Sequence, residues 1–334
     1  MSDGSGDSAG SRLLVAGGSG FIGTHTVAAA LAAGDDVVNV DIRRPLLGEQ
    51  GDHWRELDLM DAEGLKRLVA EFRPDAIVNL AAVADLALSY EDMAVNYVGV
   101  ENLVGAARAV DAPPRIVHIS TQLVVEPGYA PSGPRDYRPY SEYGKTKATS
   151  EEVLWTHADD LEWTIARPTN VWGPYHPSFA LSTWKYLNRR WYAIPRGART
   201  IRSFGYVENV AAQLLAAAKG PAEAVDHQVF YVGDEPMPLA TWLDGFSRTL
   251  TGKPARRVPR ALLKAGAEAG ELIKRAGRGA PFDRGRLFRI TADYAVPMAP
   301  ALEALGRGPV SLEQGIADTV DWLRREHPAE FKRR

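Results

Sequence analysis

From Arg12 to Ala166 the chain alternates short unbroken apolar runs with longer stretches whose apolar residues recur every three or four positions. The runs predict strands at 12–16, 37–40, 54–57, 76–80, 115–119 and 161–166, and the periodic stretches predict helices at 24–33, 62–72, 93–110 and 143–156. A strand covered on both faces reads as continuous apolar sequence, and strict strand–helix alternation builds parallel crossovers. The expected fold is therefore α/β, a doubly wound parallel sheet with helices on both faces.

Beyond Pro168 the rhythm loosens around Pro174, Pro177 and Pro195, with an aromatic cluster at Trp172, Tyr175, Phe179, Trp184, Trp191 and Tyr192. A strand is expected at 228–232, returning to the sheet, and mostly helix from 236 to about 324. Residues 261–276 read as an amphipathic surface helix, because charges interrupt their Ala/Leu-rich run. The chain thus divides into a flexible Gly/Ser/Asp-rich tail (1–11), a sheet domain (12–170 with about 201–233) and a smaller, mostly helical substrate-binding lobe (171–200 and 234–330).

Composition narrows the function classes. With 334 residues, 45% of them apolar, the chain can bury a large core. A formal charge of -3 gives no general pull toward nucleic acid or an anionic membrane. No apolar run is long enough to span a bilayer. The absence of cysteine excludes disulfides and thiolate chemistry and fits a cytoplasmic protein. The seven histidines show no close ligand spacing, so no metal is expected.

The first chemistry-bearing motif is Gly17-Gly18-Ser19-Gly20-Phe21-Ile22-Gly23, lying between a predicted strand and a predicted helix. Glycines there permit a tight turn and close backbone approach, and the helix N-terminus offers N–H groups to a pyrophosphate, as in a Rossmann dinucleotide site. A nucleoside-triphosphate loop is excluded because Thr24 stands where its lysine is required. Asp41 ends the second strand about 20 residues later, where a carboxylate bonds the adenosine ribose and repels a 2'-phosphate. NAD is favoured over NADP, although Arg43 and Arg44 stand within reach of such a phosphate.

The second motif is Tyr143-Gly144-Lys145-Thr146-Lys147. On a helix, Tyr143 and Lys147 share a face one turn apart. An ammonium beside a phenol favours the phenolate, so the pair reads as a proton-transfer device, with Lys147 also placed to bind the nicotinamide ribose.

With these motifs in order, the chain resembles the extended short-chain dehydrogenase/reductases of the NAD-dependent epimerase/dehydratase family, which act mostly on nucleotide sugars. The resemblance covers most of residues 12–324. It includes Asp58-Leu59, similar to an adenine-contacting pair, and Asn79-Leu80-Ala81-Ala82, similar to the segment beneath the cofactor. Asn96, Ser120-Thr121, Arg167-Pro168-Thr169-Asn170 and Ser311-Leu312-Glu313-Gln314-Gly315 extend it.

The resemblance implies that Gly17, Gly20, Phe21, Ile22, Gly23, Asp41, Asp58, Leu59, Leu80, Ala81, Ala82, Asn96, Tyr143, Lys147 and Pro168 contact the cofactor. It makes Thr121 the hydroxyl partner of Tyr143 at the substrate oxygen. Asn170 and Arg202 are implied to hold a substrate diphosphate, with Arg286 and Arg289 as a second clamp, and a homodimer through the helices at 93–110 and 143–156 is implied as well. The chain departs from the sugar dehydratases at Gln122 and Leu123, where an acid pair is expected, so dehydration is disfavoured. The leading expectation is epimerisation of a nucleotide sugar, at C4, through a transient ketone. A keto-sugar reductase or 3β-hydroxysteroid-type alcohol dehydrogenase, and more remotely a non-catalytic NAD sensor, remain as alternatives.

Overall fold

A computed structural model describes residues 10–331 apart from 86, 179, 276 and 281; most of the expected tail, together with Phe179 and Ala276, lies outside the described residues. The chain forms two compact units. The first comprises residues up to Thr169, Val207–Asp234 and Pro297–Pro309. It is built on β1 (Arg12–Ala16), α1 (Phe21–Ala32), β2 (Asp36–Asp41), β3 (Trp54–Glu56), α2 (Ala62–Phe72) and β4 (Ala76–Asn79). There follow α3 (Val95–Arg108), β5 (Arg115–Ile119), α4 (Glu142–His157), β6 (Trp163–Pro168) and a last strand, Gln228–Val232.

Seven strands make one sheet in the order Gln228–Val232, β6, β5, β4, β1, β2, β3, every pair parallel. The doubly wound sheet expected from the alternation is what the chain forms. Leu13 to Ala16 are fully buried, and Leu14, Ile77, Ile116, Trp163 and Ile165 share one core with the inner faces of α2, α3 and α4. Local signals set the helix ends. Asp61 caps α2 by accepting from the Gly64 N–H (2.9 Å), and Ser141 caps α4 by accepting from the Gly144 N–H (3.1 Å). Strand order reverses between β1 and β4, and in open α/β sheets that reversal opens the ligand crevice beyond the strand ends.

The second unit comprises Asn170–Tyr206, Glu235–Val296 and residues from Val310 onward. Ile201–Arg202 pairs with Met237–Pro238, and Phe204–Tyr206 pairs with Asn170–Trp172. Residues 201–206 therefore belong to small ladders of this unit rather than to the main sheet. The helix that follows them, Val207–Lys219, packs on α1 in the first unit; no helix was expected there.

Aromatic packing dominates the second unit. Phe204 stacks on Trp242 at 4.8 Å, Trp172 meets Phe246 edge-on at 5.3 Å, and Tyr175 lies 5.6 Å from Trp322. Of the aromatic cluster expected from sequence, Trp172 and Trp184 are core while Trp191 is 66% exposed. Gly315 is required because a Cβ there would come within 2.8 Å of the Tyr206 ring. The helix Arg260–Arg275 is amphipathic as expected, burying Leu263, Ala267 and Gly270 and exposing Leu262, Leu272 and Ile273.

Candidate active site

The crevice at the strand reversal is lined by the glycine turn. Gly17 adopts φ +78°, and its N–H donates to the Val40 carbonyl at 2.7 Å. A Cβ on Gly17 would sit 2.5 Å from the Ala81 nitrogen, and one on Gly23 would sit 2.2 Å from the Gly17 oxygen. The loop after β1 and the loop after β4 thus meet with no room for side chains. Over Gly20, by contrast, a Cβ would meet only the Gly17 oxygen, at 3.2 Å, so this part of the turn is open.

Gly20 caps α1 with no side chain, and no acidic residue lies in the first turn, which leaves the partial positive charge of the helix end for an anion. The donor set and the cradle therefore fit a dinucleotide pyrophosphate. Substituting Gly23→Ala should open the turn and weaken NAD binding by about 10- to 100-fold with little change in the far-UV spectrum; fluorescence titration with NADH measures it.

Asp41 ends β2 buried, its carboxylate accepting from the Ser19 N–H (3.2 Å) and the Arg43 N–H (2.9 Å). The arginines that left NADP open are both engaged. Arg43 faces Asp41 itself at 3.8 Å, and the Arg44 guanidinium lies over the Trp54 ring at 5.0 Å. This arrangement favours a ribose with a free 2'-hydroxyl.

The other residues expected at the cofactor divide by what their side chains do. Asp58 is exposed and accepts from the Met60 N–H (2.9 Å). Leu59 is core, its carbonyl bonded by Asn102 (2.8 Å). Leu80 and Ala81 are half-buried, Ala82 is exposed, and Pro168 closes β6 as a buried residue. Asn96 is almost fully buried. Its Oδ1 accepts from the Val83 N–H (2.7 Å), while its Nδ2 donates to the Val83 carbonyl (3.0 Å) and to Thr146 Oγ1 (2.9 Å). Asn96 therefore ties the loop after β4 to α4.

Tyr143 and Lys147 lie on the first two turns of α4, and the loop carrying Thr121 is held against that helix. A Cβ on Gly144 would come within 2.6 Å of the Leu123 carbonyl, so only glycine lets the two segments touch. Thr121 is buried and accepts from the Leu123 N–H at 3.2 Å. Neither Gln122 nor Leu123 carries an acidic proton.

In the chain alone, burial works against the phenolate and pushes the Tyr143 phenol up to about 12. Lys147 is also buried, and desolvation lowers it to about 7 despite the opposing charge of Glu151. A lysine that holds its proton weakly contributes little positive charge to a phenol that is itself poorly solvated.

Beneath this pair lies a buried polar network that the sequence reading did not include. His118, in β5, is fully buried; its Nδ1 lies 3.2 Å from Asn79 Nδ2, and its Nε2 lies 2.9 Å from Ser150 Oγ and 3.4 Å from Lys147 Nζ. Burial, then the charge of Lys147, holds the imidazole well below its ordinary pKa. Glu151 is completely buried and paired with Arg167 through two bonds of 2.9 and 2.6 Å, and Ser120 donates to the same carboxylate. The available signal was polarity inside an apolar strand: His118 interrupts Arg115-Ile116-Val117-His118-Ile119.

In the second unit, Asn170, Arg202, Arg286 and Arg289 line one cavity of about 600 Å³ together with Tyr192, Phe204, Trp242 and Leu263. Among the described residues its lining includes no carboxylate. Arg202 donates to the Arg289 carbonyl, and Asn170 donates to the Ser203 carbonyl (3.1 Å). Burial raises the Tyr192 phenol above its ordinary value, and the guanidiniums of Arg202, Arg289 and Arg286 oppose it. No group of three or more histidine or acidic side chains suited to a metal occurs among the described residues, and among them no helix is long and apolar enough to cross a membrane.

Comparison with known proteins places this geometry. The family model described as "NAD dependent epimerase/dehydratase family" matches residues 13–233. The chain belongs to that family. A dTDP-glucose 4,6-dehydratase of Neisseria meningitidis is 34% identical over 49% of this chain, and the match spans about half (54%) of that relative. A 4-hydroxy-2-methyl-3-oxo-4-farnesyl-3,4-dihydroquinoline-1-oxide ketoreductase of Stigmatella aurantiaca is 28% identical over 95% of this chain and 97% of its own length. Among solved structures, a UDP-glucose 4-epimerase of Thermus thermophilus in complex with NAD is 25% identical with a TM-score of 0.67, covering 94% of this chain and 99% of that one. The family's NAD dependence agrees with the cradle, with the placement of Asp41 and with the engaged arginines beside it.

Proposed function

We propose that this family member epimerises a nucleotide-linked sugar, at C4, through a transient ketone. Two features of the chain support the reading: a proton-transfer site on α4 and, in the second unit, a cavity lined by Arg202, Arg286 and Arg289 with no carboxylate among its described lining residues. Arginine forks suit a diphosphate, and the aromatic walls suit a nucleobase. Bound NAD supplies a reversible two-electron acceptor and a positive ring that favours phenolate. Tyr143 then removes the hydroxyl proton and later returns it, while Thr121 holds the same oxygen through its hydroxyl. Lys147 binds the ribose and orients the phenol. Asn170, Arg202 and Arg289 grip the diphosphate, so the sugar is free to present either face. Asp58, Leu59, Leu80, Ala81, Ala82 and Pro168 complete the cofactor site, and α3 and α4 form a homodimer interface in this reading.

A second reading, net reduction of a ketone, is favoured by the same cavity's apolar walls, which include Leu239, Trp242, Leu243, Leu263 and Ile290. The relative that matches nearly the whole chain is named a ketoreductase. Incubation of the purified enzyme with a panel of nucleotide sugars, without added cofactor, separates the two when the anomeric protons are followed by NMR. Epimer formation is expected, with Arg202→Ala and Arg289→Ala each raising KM by about 10- to 100-fold at nearly unchanged kcat. A panel that yields no epimer rejects epimerisation, and oxidation of NADH or NADPH by a ketone would then support the second reading.

A further inference from the structure

The polar chain under Lys147 has a direction. The Ala81 N–H donates to Asn79 Oδ1 at 3.2 Å, so Asn79 turns its NH2 toward His118. That NH2 lies 3.2 Å from His118 Nδ1, which must therefore accept. The proton of a neutral imidazole then resides on Nε2. Ser150 Oγ, 2.9 Å from Nε2, accepts it, because the serine hydroxyl donates to the Lys147 carbonyl at 2.7 Å. The same Nε2 lies 3.4 Å from Lys147 Nζ. Hydrogen bonds running from Ala81 to Ser150 thus leave the lysine facing a donor where an ammonium would want an acceptor.

We propose that His118 is a positioning residue for Lys147: locked by Asn79 with its proton on Nε2, it seats the amine against a donor and thereby sets the fraction of Lys147 that is charged at working pH. The other ionisable group acting on Lys147 is Glu151, one turn further along its own helix. Glu151 is held by Arg167 from β6, through bonds to both carboxylate oxygens, and is only a partial counter-charge. His118, at 3.4 Å, is therefore the neighbour whose hydrogen-bonding sense adds to what burial does to the amine. A lysine that changes protonation near neutrality can stabilise the Tyr143 phenolate when charged and release that hold when the proton returns. This inference rests on Lys147 acting beside Tyr143 as proposed above.

The test reads the amine itself. In the cofactor-free chain carrying 13C-labelled lysine, the Lys147 Cε resonance, assigned with Lys147→Arg, should titrate with a midpoint near 7. In His118→Gln, whose amide oxygen can accept from the ammonium, the midpoint should rise by about one unit or more, and the alkaline limb of the kcat profile of the NAD-loaded enzyme should move up with it. Should that variant fail to fold, Asn79→Leu, which keeps the imidazole but removes the lock on its tautomer, should give the same rise. A midpoint that stays within about 0.3 unit of wild type in the folded variant overturns the proposal. Because the titration needs no substrate, a chain that epimerises nothing still decides the role of His118, and an active epimerase with an unmoved midpoint rejects His118 alone.

Discussion

Replacing Tyr143 with phenylalanine should lower turnover by about 10²- to 10⁴-fold while leaving NAD binding and the melting temperature within error of wild type. The phenyl ring keeps the half-buried packing of Tyr143 and removes only the oxygen that moves the proton. In the chain alone that oxygen is a poor base, raised to about 12 by burial. To act near neutral pH it must be lowered by several units, each worth about 1.4 kcal/mol. Lys147, itself lowered to about 7, supplies only part of that. The remainder has to come from the bound, positively charged nicotinamide. Ultraviolet difference titration should therefore show a phenolate that ionises at markedly lower pH with NAD than without, and the signal should vanish in Tyr143→Phe. A phenylalanine variant retaining more than about a tenth of wild-type kcat would remove Tyr143 from the mechanism.

The largest loss of stability should come from Glu151→Ala. Glu151 and Arg167 are both essentially inaccessible, joined by two hydrogen bonds, with Ser120 donating to the carboxylate and the Pro134 carbonyl accepting from Arg167 at 2.5 Å. Burial works against the guanidinium, and its bonds to Glu151 more than offset that, holding it above its ordinary pKa. Truncating the acid leaves a buried cation with no counter-charge, at a cost of about 3–5 kcal/mol. Thermal unfolding should fall by roughly 5–10 °C. The double variant Glu151→Leu with Arg167→Met should recover most of the loss, since two apolar side chains of similar volume leave no charge stranded. If the double variant melts as low as the single one, packing around Glu151 rather than its charge accounts for the effect.

The sheet was legible because strands covered on both faces leave uninterrupted apolar runs, as β1 and β4 do. The glycine turn was legible because close backbone approach excludes every other residue, and Gly23 packed against the Gly17 oxygen shows the cause. Tyr143 and Lys147 were found by helical spacing, but spacing carries no record of solvent, so the burial that raises the phenol and lowers the lysine in the chain alone was not legible. Arg202 and Arg289 lie 87 residues apart, and no local pattern could bring them to one cavity; the family resemblance did that. The helix Val207–Lys219 went unseen because it begins directly after the strand Phe204–Tyr206, with no intervening turn signal. The pairing of Glu151 with Arg167 joins a helix to a strand, and sequence alone reads each as an ordinary solvated charge.

The missing side chain at Gly144 has a consequence for redesign. By letting backbone rest on backbone between the Leu123 carbonyl and the start of α4, it fixes the segments carrying Thr121 and Tyr143 against each other. Any larger residue at 144 would have to push the two segments apart and so displace both hydroxyls at once.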